Sequence, residues 1–416
     1  MNKKLTVWNM RALAVVAAIG AAISARAADT PQYERGVDGK DHAVLYRTIN
    51  GSGYAFDAKK WDYANEGSAN NAAWIPDSIA VLAYNNVGWS DAMNVDVYAI
   101  RPVFSSFFFG TRNAGKLRLG AGGIEFVPSG ASCTMTTRFK SSNMLHLTAS
   151  QTWTVADGKS AIFRMNALDN LDDNPFVLTA EDDITLSLSG NLTWEMNQSA
   201  AFQKVDVNVT SPAKIHLSAT ANANGVLQGG SLNARTLTND GGYVQVKSMT
   251  GDPCRVAANV VLKNDATLAV NCDTSSTMAE GLAIDDVADT ISASVGTGIV
   301  KGSIAPSETA FPVSADAGAT LSLRAAWRGA PSFAISGAGT IEFDGSGDAP
   351  NIASADGFTG TLVLKQSCTF AAGVLESFGG SIVYRVNATI TGRYPTPVDF
   401  SHMSVENGAK LTLNWY

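Results

Sequence analysis

Three pairs of adjacent aspartates hold most of the chemistry this sequence offers: Asp172-Asp173, Asp182-Asp183 after Glu181, and Asp285-Asp286 with Asp289 close behind. Hydrolysis of a glycosidic bond needs two carboxyl groups at a defined separation, one to protonate the leaving oxygen and one to act as base or nucleophile. Neighbours on a strand point to opposite faces, so a pair makes a two-acid site only with help from a turn or an adjacent strand. The first two pairs flank Asn174-Pro175, where aspartate also serves as a turn former.

Other chemistry is thinner. The acids could hold Ca²⁺, which takes six to eight oxygen ligands, but the Gly-Gly-x-Gly-x-Asp repeat of calcium-binding coils is missing. None of His42, His146, His216 and His402 accompanies a Gly-x-Ser-x-Gly elbow, and no His-Glu-x-x-His occurs. His146 and His216 sit in Leu-x-Leu and Ile-x-Leu runs and should face away from the apolar side. Gly296-Thr-Gly298 lacks the strand–helix setting of a dinucleotide loop and reads as a corner. Cys133, Cys254, Cys272 and Cys368 show no Cys-x-x-Cys spacing, so no metal ribbon or redox motif is expected. Cys254 with Cys272 is the expected disulfide; the alternative is four small buried thiols. No cofactor and no metal is expected.

The chain that carries these residues is 45% hydrophobic and 16% charged, with 38 glycines among 416 residues and a net charge of −7. That excludes disorder, a helical bundle with charged outer faces, and a basic nucleic-acid binder. Lys3, Lys4 and Arg11 precede the apolar run Ala12 to Ala25 and the small-x-small triplet Ala25-Arg26-Ala27. This is the pattern of a signal peptide, residues 1–27, cleaved after Ala27. Its loss removes Lys3, Lys4, Arg11 and Arg26 and no acid, leaving the mature chain still more acidic. No later run is long enough for a transmembrane helix.

From about Gly115 onward, apolar residues alternate with polar ones in short runs bounded by Gly, Asn, Asp or Ser. Lys116–Leu119, Leu145–Leu147, Thr152–Val155, Ile184–Leu188, Lys214–Leu217, Tyr243–Val246, Thr267–Val270, Thr340–Phe343, Thr361–Leu364, Ser381–Tyr384 and Lys410–Leu413 are examples. The short strands fit a series of sandwiches or one solenoid. No clear linker appears, and Asn-Gly turns such as Asn50-Gly51 and Asn407-Gly408 are few, which favours the solenoid. Coils of about 20–25 residues would give a rod of about a dozen turns and about 60 Å. Residues 28–110, rich in aromatics from Tyr33 through Trp61 and Trp74 to Tyr98, read as a cap with the first coils. Residues 111–416 read as the solenoid, with Phe107-Phe108-Phe109 entering its core.

Three places go beyond a generic β pattern. Trp61 with Trp74-Ile-Pro-Asp-Ser-Ile-Ala-Val81 resembles the opening segment of autotransporter-associated β-strand repeats. Lys116-Leu-Arg-Leu-Gly-Ala-Gly-Gly-Ile124 and Leu145-His-Leu-Thr-Ala-Ser-Gln-Thr-Trp-Thr-Val-Ala-Asp-Gly158 are similar to that family's leucine-glycine and Gln-Thr-Trp coils. Ile335-Ser-Gly-Ala-Gly-Thr-Ile-Glu-Phe343 and Gly357-Phe-Thr-Gly-Thr-Leu-Val-Leu364 resemble its Gly-Ala-Gly-Thr and Phe-Thr-Gly-Thr strands. These segments cover about a third of the chain; residues 160–330 share only the strand rhythm.

The resemblance implies an all-β, right-handed parallel β-helix of passenger type, exported from a Gram-negative cell and displayed at, or released from, its outer surface. It implies no reaction. One departure is that such proteins end in a membrane barrel, whereas about 50 residues follow Thr361–Leu364 here. The aromatic ending Leu411–Tyr416 therefore reads as a last coil, or the chain as a fragment. Parallel β-helices also include carbohydrate-cleaving enzymes, but the Gly-His-Gly and Arg-x-Lys companions of polygalacturonase-like sites are missing.

The reading is thus a secreted or surface-displayed structural or adhesive protein with no defined catalytic activity, the periplasm being the other compartment the signal allows. Its expected partners are glycans, a host or cell surface, and the outer-membrane export machinery. The alternative is a glycoside hydrolase or polysaccharide lyase using Asp172, Asp173, Asp182, Asp183, Asp285 and Asp286.

Overall fold

The computed structural model describes residues 30–47, 61–63, 72–83, 86–87, 94–109, 116–137, 145–165, 177–221, 227–248, 254–272, 282–307, 309–392, 400–406 and 408–415. The signal segment 1–27, Asp172-Asp173, Asn174-Pro175 and the side chains of Phe107-Phe108-Phe109 lie outside the described residues.

Each alternating run of the sequence falls in a strand, and successive strands pair in parallel with the strand one coil earlier. Sheet I begins at Asp41–Arg47 and climbs through Ser78–Leu82, Asn94–Pro102 and Lys116–Phe126 to Asn351–Ser354 and Thr369–Phe370. Sheet II runs from Asn86–Val87 to Met403–Val405 and never returns to its start, so it is an open ladder. At the ordinary strand spacing, about 14 rungs make a rod of about 60 Å. The step is uneven: Leu268 pairs with Val300, 32 residues on, whereas Leu321, Ile341, Leu362 and Ile382 follow at steps of 20, 21 and 20.

The period of two turns one residue in every pair inward, and the register stacks those residues into columns. One column of sheet II runs Met135, Phe163, Trp194, Ile215, Val244, Leu268, Val300, Leu323, Phe343, Leu364 and Tyr384. None of them is more than 1% exposed. Some polar residues enter this core with their bonds met. Gln151, for instance, accepts the Trp153 indole N–H at 3.0 Å and donates to the Leu119 and Ala149 carbonyls. That exchange is the physical content of the Gln-Thr-Trp coil.

Sheet I is creased. Ser199–Thr210 pairs its first half with Val177–Ala180 and its second with Thr185–Leu188, the register shifting between Phe202 and Asp206. Lower down the crease passes through Gly120-Ala-Gly-Gly123. Gly123 has φ +63°, and a Cβ there would lie 2.3 Å from the Thr152 carbonyl oxygen, so the glycine is required. The Gly-Thr corners into sheet II are equally tight: a Cβ on Gly360 would lie 1.8 Å from the Gly339 oxygen. Gly296, at φ +62°, is likewise a corner between Thr290–Val295 and Thr297–Ala305.

Candidate functional site

Of the six candidate aspartates, the four that are described, Asp182, Asp183, Asp285 and Asp286, do not converge. Asp182 and Asp183 form the turn between Val177–Ala180 and Thr185–Leu188, with Asp183 at φ +57°. Each is held by a cation from a later coil: Lys204 Nζ lies 2.6 Å from Asp182, and Arg235 bridges Asp183 at 2.7 Å and Asp206 at 2.6 Å. Glu181 takes the His146 ring at 3.1 Å, and that ring faces outward as expected. The hydrogen bond from Arg235 holds the Asp206 carboxyl below the usual carboxylate range, and Asp182 raises Lys204. This is an ion ladder along the crease.

Asp285 and Asp286 make a single helical turn, Ile284–Asp286, four rungs further along the same crease. The separation is about 20 Å at the ladder spacing, beyond the span of a glycosidase pair. Burial, reinforced by neighbouring Asp285, pushes the Asp286 carboxyl up, with Arg255 opposing. The Cys254 thiol is buried, its Sγ 3.0 Å from the Lys247 carbonyl oxygen, while Cys272 ends the strand Ala266–Cys272 with its side chain outside the described residues. Cys133 is buried and its thiol is pushed up to about 12. Among the described residues no group of three or more His, Cys, Asp or Glu is placed to hold a metal ion.

The densest polar constellation lies at the N-terminal end, where no local motif announces it. Gln32–Arg35 pairs antiparallel with Asp41–Arg47, a reversal of direction at the start of sheet I. On the outer face of that sheet Arg101 donates to both carboxylate oxygens of Glu34, at 3.0 and 2.9 Å, and to Glu125 at 2.9 Å. Burial opposes the Arg101 charge, but the bonds and charges of the two glutamates outweigh it and hold the guanidinium above its ordinary value. Beside it His42 is 2% exposed, with Nδ1 2.7 Å from the Asp77 carbonyl oxygen and Nε2 3.0 Å from Asp38 Oδ1. Tyr98 stacks on the imidazole at 3.5 Å and accepts the Val37 N–H at 2.7 Å. Val44, Ile79, Val81 and Ala99 pack beneath as a second apolar cluster outside the main core. The partners are 67 and 24 residues apart, which is why pattern reading passed over them.

The C-terminal end offers a cleft of about 290 Å³ lined by Leu375, Glu376, Ser377, Phe378, Ile382, His402 and Met403. It holds one acid and one imidazole, short of the two acids that glycoside hydrolysis requires. The Arg101 and His42 constellation, a latch on the N-terminal edge, and the cleft at the other end are about 60 Å apart on the rod. No family model, no curated protein and no solved structure matches the chain.

Proposed function

We propose that this chain is an exported β-helical rod that serves as a structural or adhesive module at or beyond the cell surface, without turnover of its own. The parallel ladders and unbroken apolar columns support that reading, since they make a stiff spacer from repeated, nearest-neighbour packing. The observation that carries it is the fate of the acids. Asp182, Asp183 and Asp206 are neutralised by Lys204 and Arg235, and Asp285-Asp286 stands four rungs away. The signal peptide, the likeness to autotransporter passenger repeats, the right-handed winding and an aromatic N-terminal cap belong to the same proposal, as do glycan or host-surface partners and export through the outer membrane.

The test is incubation of the purified protein with a panel of plant and host polysaccharides, following reducing ends and retention together. Retention without chain shortening is the expected result. Turnover that disappears in Asp286→Asn or Asp183→Asn would put the carbohydrate-active enzyme in its place.

A further inference from the structure

Among the described residues one stretch of sheet II carries four cations and no acid, between Glu195 on the rung before it and Glu342 on the rung after. Its five consecutive strands Lys214–Ala221, Tyr243–Ser248, Ala266–Cys272, Thr297–Ala305 and Thr320–Trp327 contain no aspartate or glutamate. Their outward positions carry exposed Lys214, Lys247, Lys301 and Arg324. Among the described residues these four make no ion pair. Several other cations on the rod are paired: Arg101 with Glu34 and Glu125, Arg164 with Glu195, Arg235 with Asp183 and Asp206, Lys365 with Glu342 and Asp344, Arg385 with Glu406.

The face is also arranged. Lys301 and Arg324 are direct register partners on adjacent rungs, so two like charges stand about 4.8 Å apart at the backbone. Such a pair opposes folding unless something else uses it. The two side chains lean apart and are fixed in doing so. The Lys301 ammonium lies 5.5 Å from the centre of the Tyr243 ring, and Arg324 Nε bonds Ser322 Oγ at 2.9 Å. His216 meets the same tyrosine edge-on at 6.0 Å. Burial pushes His216 below its ordinary value, Lys214 adding to this and Glu195 opposing, so the positive charge comes from the lysines and the arginine.

We infer that this face of sheet II binds an acidic polysaccharide laid along the rod, its carboxylate or sulfate groups on Lys214, Lys301 and Arg324. The inference rests on the adhesive reading above and names the class of its ligand. Neutral hydrogen-bonding groups at Gln245, Thr267 and Ser218 share this face with the cations, which suits sugar hydroxyls between spaced anions. Nucleic acid and an anionic bilayer call for broader basic surfaces than four cations on one face provide.

The experiment measures binding of the full chain, at about 150 mM salt, to alginate, dextran sulfate, uncharged dextran, duplex DNA and phosphatidylglycerol vesicles. Lys301→Gln/Arg324→Gln is compared with Lys159→Gln, a half-buried cation elsewhere on the rod whose ammonium donates to the Gly130 carbonyl. The expected result is binding to alginate or dextran sulfate and not to dextran. The double variant should weaken it about tenfold while Lys159→Gln leaves it within about twofold. Alginate against dextran sulfate separates carboxylate from sulfate recognition. Equal weakening by Lys159→Gln, binding to neither acidic polymer, or tighter binding to DNA or vesicles would overturn the assignment. Acid-polymer binding that survives in the double variant removes this face and leaves the adhesive reading standing; shortening of either polymer removes that reading instead.

Discussion

At the N-terminal end the first rung of sheet I, Asp41–Arg47, has its open edge covered by the antiparallel strand Gln32–Arg35. At the C-terminal end Thr369–Phe370 and Met403–Val405 have no strand beyond them among the described residues. The N-terminal edge is further pinned by Arg101 between two glutamates and by His42 between Asp38 and Asp77. The other end holds Phe400 and Val405 at 38% and 44% exposure, and the small sheet of Ala388–Gly392 and Leu411–Trp415 stands apart from both ladders. A parallel ladder offers the same edge at every rung, so only a change of strand direction or a polar cover stops it. One end has both devices, and the other keeps the geometry of an interior rung.

Breaking the N-terminal device should have the largest effect. Arg101→Gln leaves Glu34 and Glu125 facing each other across a neutral amide, at a site where the arginine side chain is 17% exposed. The expected cost is about 1–3 kcal/mol, the partly solvated glutamates keeping it at the lower end. Chemical denaturation measures the total, and hydrogen exchange locates it. Faster exchange should be confined to residues 32–47 and their neighbours on sheet I, because a repeat structure couples only adjacent coils. Equal acceleration at Ser381–Tyr384 would show that the two ends are not independent.

The open end predicts a smaller change of opposite sign. Tyr384 closes the inward column of sheet II at 1% exposure, yet its hydroxyl has no hydrogen-bond partner. Burial, with Cys368 beside it, pushes the phenol above its ordinary value. Tyr384→Phe removes that orphan hydroxyl and keeps the ring, so it should stabilise the protein by about 1 kcal/mol. A fall in melting temperature in this variant would mean that the hydroxyl is satisfied in solution and that the two ends are more alike than the geometry indicates.

This contrast marks where sequence reading stops. The rungs were legible because alternation is local: Ser381-Ile-Val-Tyr384 shows its buried face within four residues. The Gly-Thr corners were legible too, since a stacked corner tolerates only the smallest side chain. The crease was hidden inside Lys116–Phe126, which reads as two runs parted by Gly120-Ala-Gly-Gly123 but is one strand. The antiparallel opening strand was missed because Gln32-Tyr-Glu-Arg35 carries no apolar stripe. For the acids, composition was misleading in a specific way. A run such as Glu181-Asp182-Asp183 looks like a cluster, but Glu181 meets the His146 ring and the two aspartates meet Lys204 and Arg235, all from other coils. The positive face of sheet II is the converse, four cations scattered over more than a hundred residues that only the register gathers.

Acid should sharpen the difference between the ends. The hydrogen bond from His42 holds the Asp38 carboxyl below its ordinary value. A depressed carboxylate stabilises the folded state fully above the unfolded value, about 3.9, and that contribution is lost as pH falls through the lower folded value. The N-terminal latch should therefore loosen below about pH 4. Toward the C-terminal end Lys365 is instead raised, chiefly by its bond to Glu342, and its ammonium stays charged across that range. Hydrogen exchange at about pH 3 and pH 6, corrected for intrinsic rates, should show residues 32–47 losing protection ahead of Thr361–Leu364. In Asp38→Asn that early loss should vanish, because the variant side chain does not titrate. An unchanged early loss in Asp38→Asn would show that Asp38 is not the group whose protonation loosens the N-terminal end.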